Sequence, residues 1–272
     1  MRREQPVRRT PSPLSRIPPG PWAWAVAGAA LGFALTLVLS MPARWLADSL
    51  SEATAGRVRL HDPRGTVWNG SAQLVLAGGA GSNDAAVLPS RLTWTLRPAV
   101  TGVRATLRSD CCITTPIAVL ARPGWRGAAV RVGDGVSQWP AALLSGLGTP
   151  WNTLELDGNL VLRTKDLALR WTEGRFTVAG SAELTAERLG SRLSTLRPMG
   201  TYRLTLSGGA VPSLQLATVE GALQLSGSGQ WVGDRLRFTG EATAAPERGA
   251  ALANLLNIIG RPAGTRSIIS IG

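Results

Sequence analysis

The chain is poor in the residues on which most catalytic and metal sites depend. Its 272 residues include one histidine, His61, and two cysteines, and no Cys, His, Asp and Glu residues cluster with metal-ligand spacing. A catalytic triad or a histidine-based metal site would have to use His61, which lies beside Asp62 in a turn-like HDPRGT segment. We therefore predict a protein that is not an enzyme, with no catalytic residue, no cofactor and no metal ion.

Lysine and acidic residues are also scarce, and arginine carries nearly all the positive charge. The chain has 29 basic and 17 acidic residues, a net charge of +12, and Lys165 is its only lysine. The one dense basic group is N-terminal and consists of Arg2, Arg3, Arg8, Arg9 and Arg16. The other arginines are scattered singly, which indicates solvated faces and argues against a nucleic-acid partner. A modest attraction to acidic lipid headgroups is the alternative interpretation.

One long apolar run follows the basic N-terminus. Residues 22–41, WAWAVAGAALGFALTLVLSM, contain no charge, and a helix of about 20 residues crosses about 30 Å of hydrocarbon. A cleaved signal peptide is the alternative, but its apolar core spans only about 7–15 residues, and Pro42 disfavours cleavage beside it. We predict a retained transmembrane helix, whose anchoring side chains are Trp22, Trp24, Phe33, Leu35, Leu37 and Leu39.

The flanking charges predict the orientation of this helix. Basic segments stay on the cytoplasmic side of a membrane, so residues 1–21 are expected to form a disordered cytoplasmic tail. Residues 42–272 are then expected on the far side, as a β-rich domain in a bacterial periplasm. An outer-membrane barrel is disfavoured, because the long apolar helix is retained at the inner membrane and Tyr202 is the only tyrosine available for an aromatic girdle.

The body of the chain, from Gly56 to about residue 245, has the two-residue period of β-strands. In RLTWTLR, Leu92, Trp94 and Leu96 alternate with polar residues, which places the apolar side chains on one face. The pattern recurs at 103–108, 153–163, 167–186, 202–208, 213–231 and 235–244. We predict a mainly β fold, a long antiparallel meander in a twisted sheet. The sequence leaves open whether that sheet closes or forms an open groove.

Turn signals join several of these strands. Asp157-Gly158 lies between two alternating runs and predicts a hairpin, because both central residues of the favoured turn need positive φ. Glu173-Gly174 and Gly233-Asp234 are weaker signals of the same kind. The glycine-rich stretch 77–84 lacks the lysine and hydroxyl ending of a phosphate loop, so we interpret it as the end of a hairpin.

Three segments have the apolar spacing of helices. Residues 43–55 predict a short amphipathic helix with Trp45, Leu46 and Leu50 at helical spacing. Residues 139–147 predict another, at a candidate boundary between sub-lobes 56–138 and 151–272. Residues 246–260 predict a C-terminal amphipathic helix that begins at a proline and ends at a glycine, and SIISIG beyond it predicts a last strand or a docked tail.

The two cysteines, Cys111 and Cys112, are adjacent. A disulfide between neighbours forces a strained ring, so free thiols, or pairs with another chain, compete with ring closure.

The chain contains ten tryptophans, which is an unusually high number. Those in or beside predicted strands are Trp68, Trp94, Trp171 and Trp231. Core packing is their default role, and a solvent-exposed row of them would instead indicate lipid or peptide binding.

Two groups of motifs resemble a known family. Residues 56–60, GRVRL, followed by 65–70, GTVWNG, look like the opening of the periplasmic region of type II secretion system protein N, also called general secretion pathway protein N. Residues 223–231, 235–240 and 255–261 are similar to its closing pattern. The positions that carry the resemblance are Gly65, Trp68, Gly70, Gly227, Trp231, Phe238, Gly240, Leu255, Leu256 and Gly260.

The resemblance implies a non-enzymatic, single-pass inner-membrane component of the machine that exports folded proteins from the periplasm. Its implied partners are other inner-membrane and periplasmic proteins of the same secretion system, which it would contact as a scaffold. The family also looks distantly related to AsmA-like proteins, whose β-grooves are associated with lipid handling. The alternative function is therefore a periplasmic lipid-binding groove that acts in envelope lipid handling.

Overall fold

The computed structural model describes residues 22–79 and 82–272 of the chain. The predicted tail, residues 1–21, lies outside the described residues. Helix α1 belongs to one unit, and residues Met41–Gly272 form a second one.

Helix α1 spans Trp22–Leu39, so it ends two residues before the predicted limit at Met41. It is long and apolar enough to cross a membrane, with a mean hydropathy of 1.9, and none of its residues is buried within the protein. The hydroxyls in its last part are satisfied internally, since Thr36 donates to the Gly32 carbonyl at 2.9 Å and Ser40 to the Thr36 carbonyl at 2.6 Å. A polar side chain bonded in this way costs little in hydrocarbon.

The described residues of the body form fifteen strands in one sheet. In the first half they are β1 Val58–Gly65, β2 Asn69–Ala77, β3 Ala85–Ala99, β4 Gly102–Ser109, β5 Ile113–Gly124, β6 Gly127–Val132 and β7 Gly135–Pro140. In the second half they are β8 Leu156–Thr172, β9 Arg175–Ser191, β10 Gly200–Ser207, β11 Ser213–Gly221, β12 Leu223–Val232, β13 Arg235–Ala244, β14 Arg261–Ala263 and β15 Arg266–Ile271.

Strand order confirms the predicted meander. Neighbours along the chain are neighbours in the sheet, and the pairs are antiparallel. Two places depart from this order: β7 shares with β6 the position beside β8, and β15 lies between β13 and β14. The sheet is open, with β1 and β14 as its edges. It continues across residues 133–155, and the division into sub-lobes stays a prediction.

The strongest turn signal in the sequence proved wrong. Asp157 and Gly158 form no hairpin; they lie at the start of β8, where the register with β9 shifts. Gly158 has a φ of +132°, and a Cβ there would lie 2.9 Å from the Glu187 carbonyl oxygen, so the glycine serves a bulge. The weaker signals at Glu173-Gly174 and Gly233-Asp234 are confirmed as the β8–β9 and β12–β13 turns.

The helices that follow α1 pack on the apolar face of the sheet. They are α2 Ala43–Ala53, a 3₁₀ helix Ala141–Leu147, α3 Trp151–Leu154 and α4 Gly249–Ile259. Helix α4 begins three residues after the predicted Pro246, because Arg248 donates its N–H to the Ala245 carbonyl and holds the proline in a turn. The strand predicted for SIISIG is confirmed, since all of it except Gly272 lies in β15.

Helix α2 covers the sheet near its N-terminal edge. Its buried residues, Ala43 and Ala47, pack with Leu60 and Trp94 of β1 and β3, and Leu46 and Leu50 lie against the same cluster. Trp45 was expected with these leucines but is 57% exposed. Adjacent positions on a helix differ by about 100°, so Leu46 on the buried side leaves Trp45 facing outward.

A disulfide joins Cys111 and Cys112 in the turn between β4 and β5. The sequence left open free thiols, pairs with another chain and a disulfide between the two neighbours, and the structure has the disulfide. Cys112 is buried with Leu88 and Leu143, so the disulfide lies beneath the 3₁₀ helix.

Candidate functional site

The apolar face of the sheet is only partly covered. Pairing continues the apolar set from Leu96 to Ala105 and Val119 on β3 to β5, and again from Leu206 to Leu214 on β10 and β11. Alternate residues of a strand share a face, so these side chains line one surface. The residues between the helices are half-buried and have no second layer on them in the described chain. This surface is an open apolar face.

An aromatic cluster lies on this face where β8 and β12 end and β9 begins. The ring centroids of Trp171 and Phe176 are 5.2 Å apart, and those of Phe176 and Trp231 are also 5.2 Å apart, both pairs tilted. Tilted aromatic pairs at this spacing attract each other beyond the area that they bury. Trp171 remains 41% exposed, so the cluster combines internal packing with an accessible aromatic surface.

The closing motif proves to be a packing arrangement around Phe238. Gly227 of β12 lies opposite Gly240 of β13, and the ring of Phe238 covers both. A Cβ on Gly227 would lie 2.5 Å from Cζ of Phe238, and one on Gly240 would lie 3.1 Å from Cε1. The glycines are therefore needed because a ring lies flat against the backbone at this point.

The opening motif is packed in the same way near the opposite edge of the sheet. A Cβ on Gly70 would lie 2.5 Å from Cζ2 of Trp94, so the indole occupies the space that this glycine leaves. Trp94 is buried, and its Nε1 donates to the Val67 carbonyl at 3.0 Å. Gly65 has a φ of +85° and ends β1. Trp68, also in the motif, is half-buried, and its carbonyl accepts from the Leu96 N–H at 2.7 Å.

The third motif, which is the last part of the closing pattern at residues 255–261, lies at the end of α4. Leu255 is buried in the largest core cluster beside Leu252, and Leu256 lies against it. Gly260 follows the helix, and a Cβ there would overlap the carbonyl of Ile268. The opening motif lies on β1 and β2 and the other two on β12 to β14, so the strand order separates them and they do not form a single site.

Comparison with known protein families identifies the family of this chain. The family model for type II secretion system protein N matches residues 56–269. The chain belongs to this family. No significant match to the chain is found among curated proteins or solved structures. Kinship to AsmA-like proteins receives no support from these comparisons.

Family membership implies that this chain has a role in type II secretion and interacts with other components of that system. The family, together with one N-terminal apolar helix, fits a single-pass inner-membrane protein.

The residue next to His61 takes part in an ion-pair cluster. His61 is exposed on β1, and the adjacent Asp62 forms ion pairs with Arg64 at 2.8 Å and Arg91 at 2.9 Å. Hydrogen bonds from these two arginines lower the pKa of Asp62, so its carboxylate is committed to pairing. Within residues 22–79 and 82–272, no group of three His, Cys, Asp or Glu side chains is arranged to hold a metal ion.

A polar cleft of about 610 Å³ lies at the end of the sheet that carries α3. Some of its charged groups have partners within the cleft, since Arg192 contacts Glu155 at 2.8 Å and Asp84 accepts from the amide of Asn152 at 3.0 Å. This pairing favours a structural role for the cleft.

Sequence reasoning missed Phe176 of the aromatic cluster, because only the fold shows that its ring contacts Trp231.

Proposed function

We propose that this protein is a non-enzymatic inner-membrane component of the type II secretion system that acts by position and contact. Helix α1 crosses the membrane through the predicted anchor residues, the N-terminus faces the cytoplasm, and the sheet lies in the periplasm. The open apolar face docks another component of the secretion system. The observation that carries the proposal is this uncovered, half-buried face on a protein whose family acts in secretion.

The proposal is tested by gene deletion and complementation, with exoprotein release as the readout. We expect loss of release in the deletion strain, and its recovery with the wild-type gene. The double variant L206N/L214N removes an apolar pair from the open face and is expected to restore release poorly. The matched control, T205N/Q215N, changes the neighbouring pair on the polar face and is expected to restore release fully.

Two outcomes would overturn the proposal. Normal secretion in the deletion strain together with a disturbed outer-membrane lipid profile would instead favour the lipid-groove alternative. Protease protection in spheroplasts tests the orientation separately. Digestion of the C-terminal domain from the periplasmic side is expected, and its protection there would contradict the assigned topology.

A further inference from the structure

Four exposed arginines gather on the polar face of β3 to β6. Arg97 lies directly opposite Arg104. Arg104 lies opposite Leu120, which in turn lies opposite Arg131 of β6, and Arg122 occupies the next position of β5 on the same face. Alternate residues of a strand point the same way, so register brings onto one surface arginines that the sequence scatters.

These arginines have no acidic partner among the described residues. Other arginines of the described chain do form ion pairs, such as Arg91 with Asp62 and Arg203 with Glu183. Next to these four, Arg126 in the β5–β6 turn pairs with Glu173 at 2.9 Å. Like charges directly opposite each other on adjacent strands destabilise a sheet. The Arg97–Arg104 pair therefore costs stability, and an anionic partner would remove that cost.

The hairpin tips next to these arginines expose apolar side chains. Val100, in the β3–β4 turn, is 104% exposed, and Trp125, in the β5–β6 turn, is 102% exposed. Both turns have only two central residues, positions that favour Asn, Asp and Gly. A valine and a tryptophan there satisfy neither turn chemistry nor core packing. Tryptophan beside arginine is typical of surfaces that sit at a membrane interface.

The position of this region in the fold indicates which membrane. The Met41 carbonyl accepts from the Val67 N–H at 2.8 Å, and the next residue, Trp68, accepts from the Leu96 N–H at 2.7 Å. Arg97 follows Leu96. Hydrogen-bonded neighbours lie about 4.8 Å apart and consecutive residues about 3.8 Å apart, so Arg97 lies within about 17 Å of Met41. Met41 comes two residues after the end of α1. The chain therefore enters the sheet close to the arginines.

We propose that this region, the basic end of the sheet, docks on the anionic lipid surface from which α1 emerges. The basic end consists of Arg97, Arg104, Arg122 and Arg131 with the two tips, Val100 and Trp125. The inference rests on the proposed function in one respect, namely that α1 crosses the membrane. Guanidinium groups bind lipid phosphates, and the two tips enter the headgroup region, so that the sheet is held against the membrane at a second point.

The test uses the full chain in nanodiscs of phosphatidylcholine, with or without phosphatidylglycerol, and measures hydrogen exchange at the two tips. We expect slower exchange at residues 99–102 and 124–127 only when phosphatidylglycerol is present. The protection should disappear at about 0.5 M salt, which shortens electrostatic screening to a few ångströms. In R97Q/R104Q/R122Q/R131Q it should fall by at least about tenfold, since each arginine near an anionic surface contributes about a fivefold gain in binding.

The matched control, R57Q/R188Q/R248Q/R261Q, removes the same charge from exposed arginines outside the basic end and should keep the protection. Exchange in β10 and β11, measured in the same experiment, reports whether each variant is folded. Equal exchange at the tips in both lipids would overturn the inference. So would protection that appears only when another secretion component is added, which would assign the basic end to an acidic protein. Carbonate extraction tests the anchor separately, so a retained chain with unprotected tips contradicts this inference alone.

Discussion

The rings of Phe176 and Trp231 lie 5.2 Å apart, although β10 and β11 separate their strands in the sheet. The hairpin of β10 and β11 is shorter than its neighbours, and beyond its tip the flanking strands meet. The Phe176 N–H donates to the Gly233 carbonyl at 3.1 Å there. The aromatic contact therefore joins β9 to β12 beyond the tip of the short β10–β11 hairpin. This contact explains why a tryptophan follows the glycines of β12.

This closure predicts an energetic coupling between the two rings. We expect W231A to lower the free energy of unfolding by about 1–3 kcal/mol, since the ring is only partly buried. In a double-mutant cycle with F176A, the coupling energy should be about 1 kcal/mol. Urea titration of the full chain in detergent, followed by circular dichroism, measures both. Strict additivity of the two substitutions would show that the rings do not support each other.

The sequence predicted the fold better than it predicted the contacts. Alternation around Leu92, Trp94 and Leu96 predicted an apolar face that α2 then covers, because a two-residue period has one simple structural meaning. The Asp157-Gly158 hairpin failed because positive φ also serves a bulge, and local sequence does not distinguish the two.

Contacts that depend on the register between strands could not be predicted from the sequence. Phe176 meets Trp231, and Arg97 faces Arg104, only because strands of particular lengths pair at particular offsets. Such offsets are set by the whole meander.

The space that Gly70 leaves for Trp94 predicts a site intolerant of any side chain. In G70A the new Cβ would lie 2.5 Å from the indole and 2.8 Å from the carbonyl oxygens of Arg64 and Thr66. We expect a loss of about 1–3 kcal/mol in the free energy of unfolding. The control is G249A, at the start of α4, where no atom lies within 4 Å of the new Cβ. It should be neutral or slightly stabilising, and equal losses in both variants would contradict the packing explanation.

Tyr202 predicts an alkaline limit to stability. Burial raises the pKa of its hydroxyl above the ordinary value of about 10, and the hydroxyl donates to the Leu223 carbonyl at 3.1 Å. Above pH of about 10 the unfolded chain loses a proton that the folded chain retains, so this contribution to stability is complete below that pH and declines as pH rises.

Because Tyr202 is the only tyrosine, ultraviolet absorbance of tyrosinate reports on it alone. We expect the folded chain to ionise at higher pH than the chain in urea. Y202F should lose about 1 kcal/mol at neutral pH through the missing hydrogen bond, and its unfolding free energy should lack the decline above pH of about 10. Coincident titrations of the folded and unfolded chains would contradict burial of the hydroxyl.

Ser267 of β15 predicts a substitution that stabilises the protein. Its hydroxyl is fully buried between β13 and β14 and has no hydrogen-bond partner among the described residues. Ser191 is equally buried, but its hydroxyl donates to the Leu154 carbonyl at 2.5 Å and accepts from the Leu193 N–H at 3.2 Å. S267A removes an unpaired polar group and should raise the free energy of unfolding by about 1 kcal/mol, whereas S191A should lower it by about 1–2 kcal/mol. Thermal and urea unfolding of both variants measure the difference, and a loss of stability in S267A similar to that in S191A would mean that the Ser267 hydroxyl is bonded in solution.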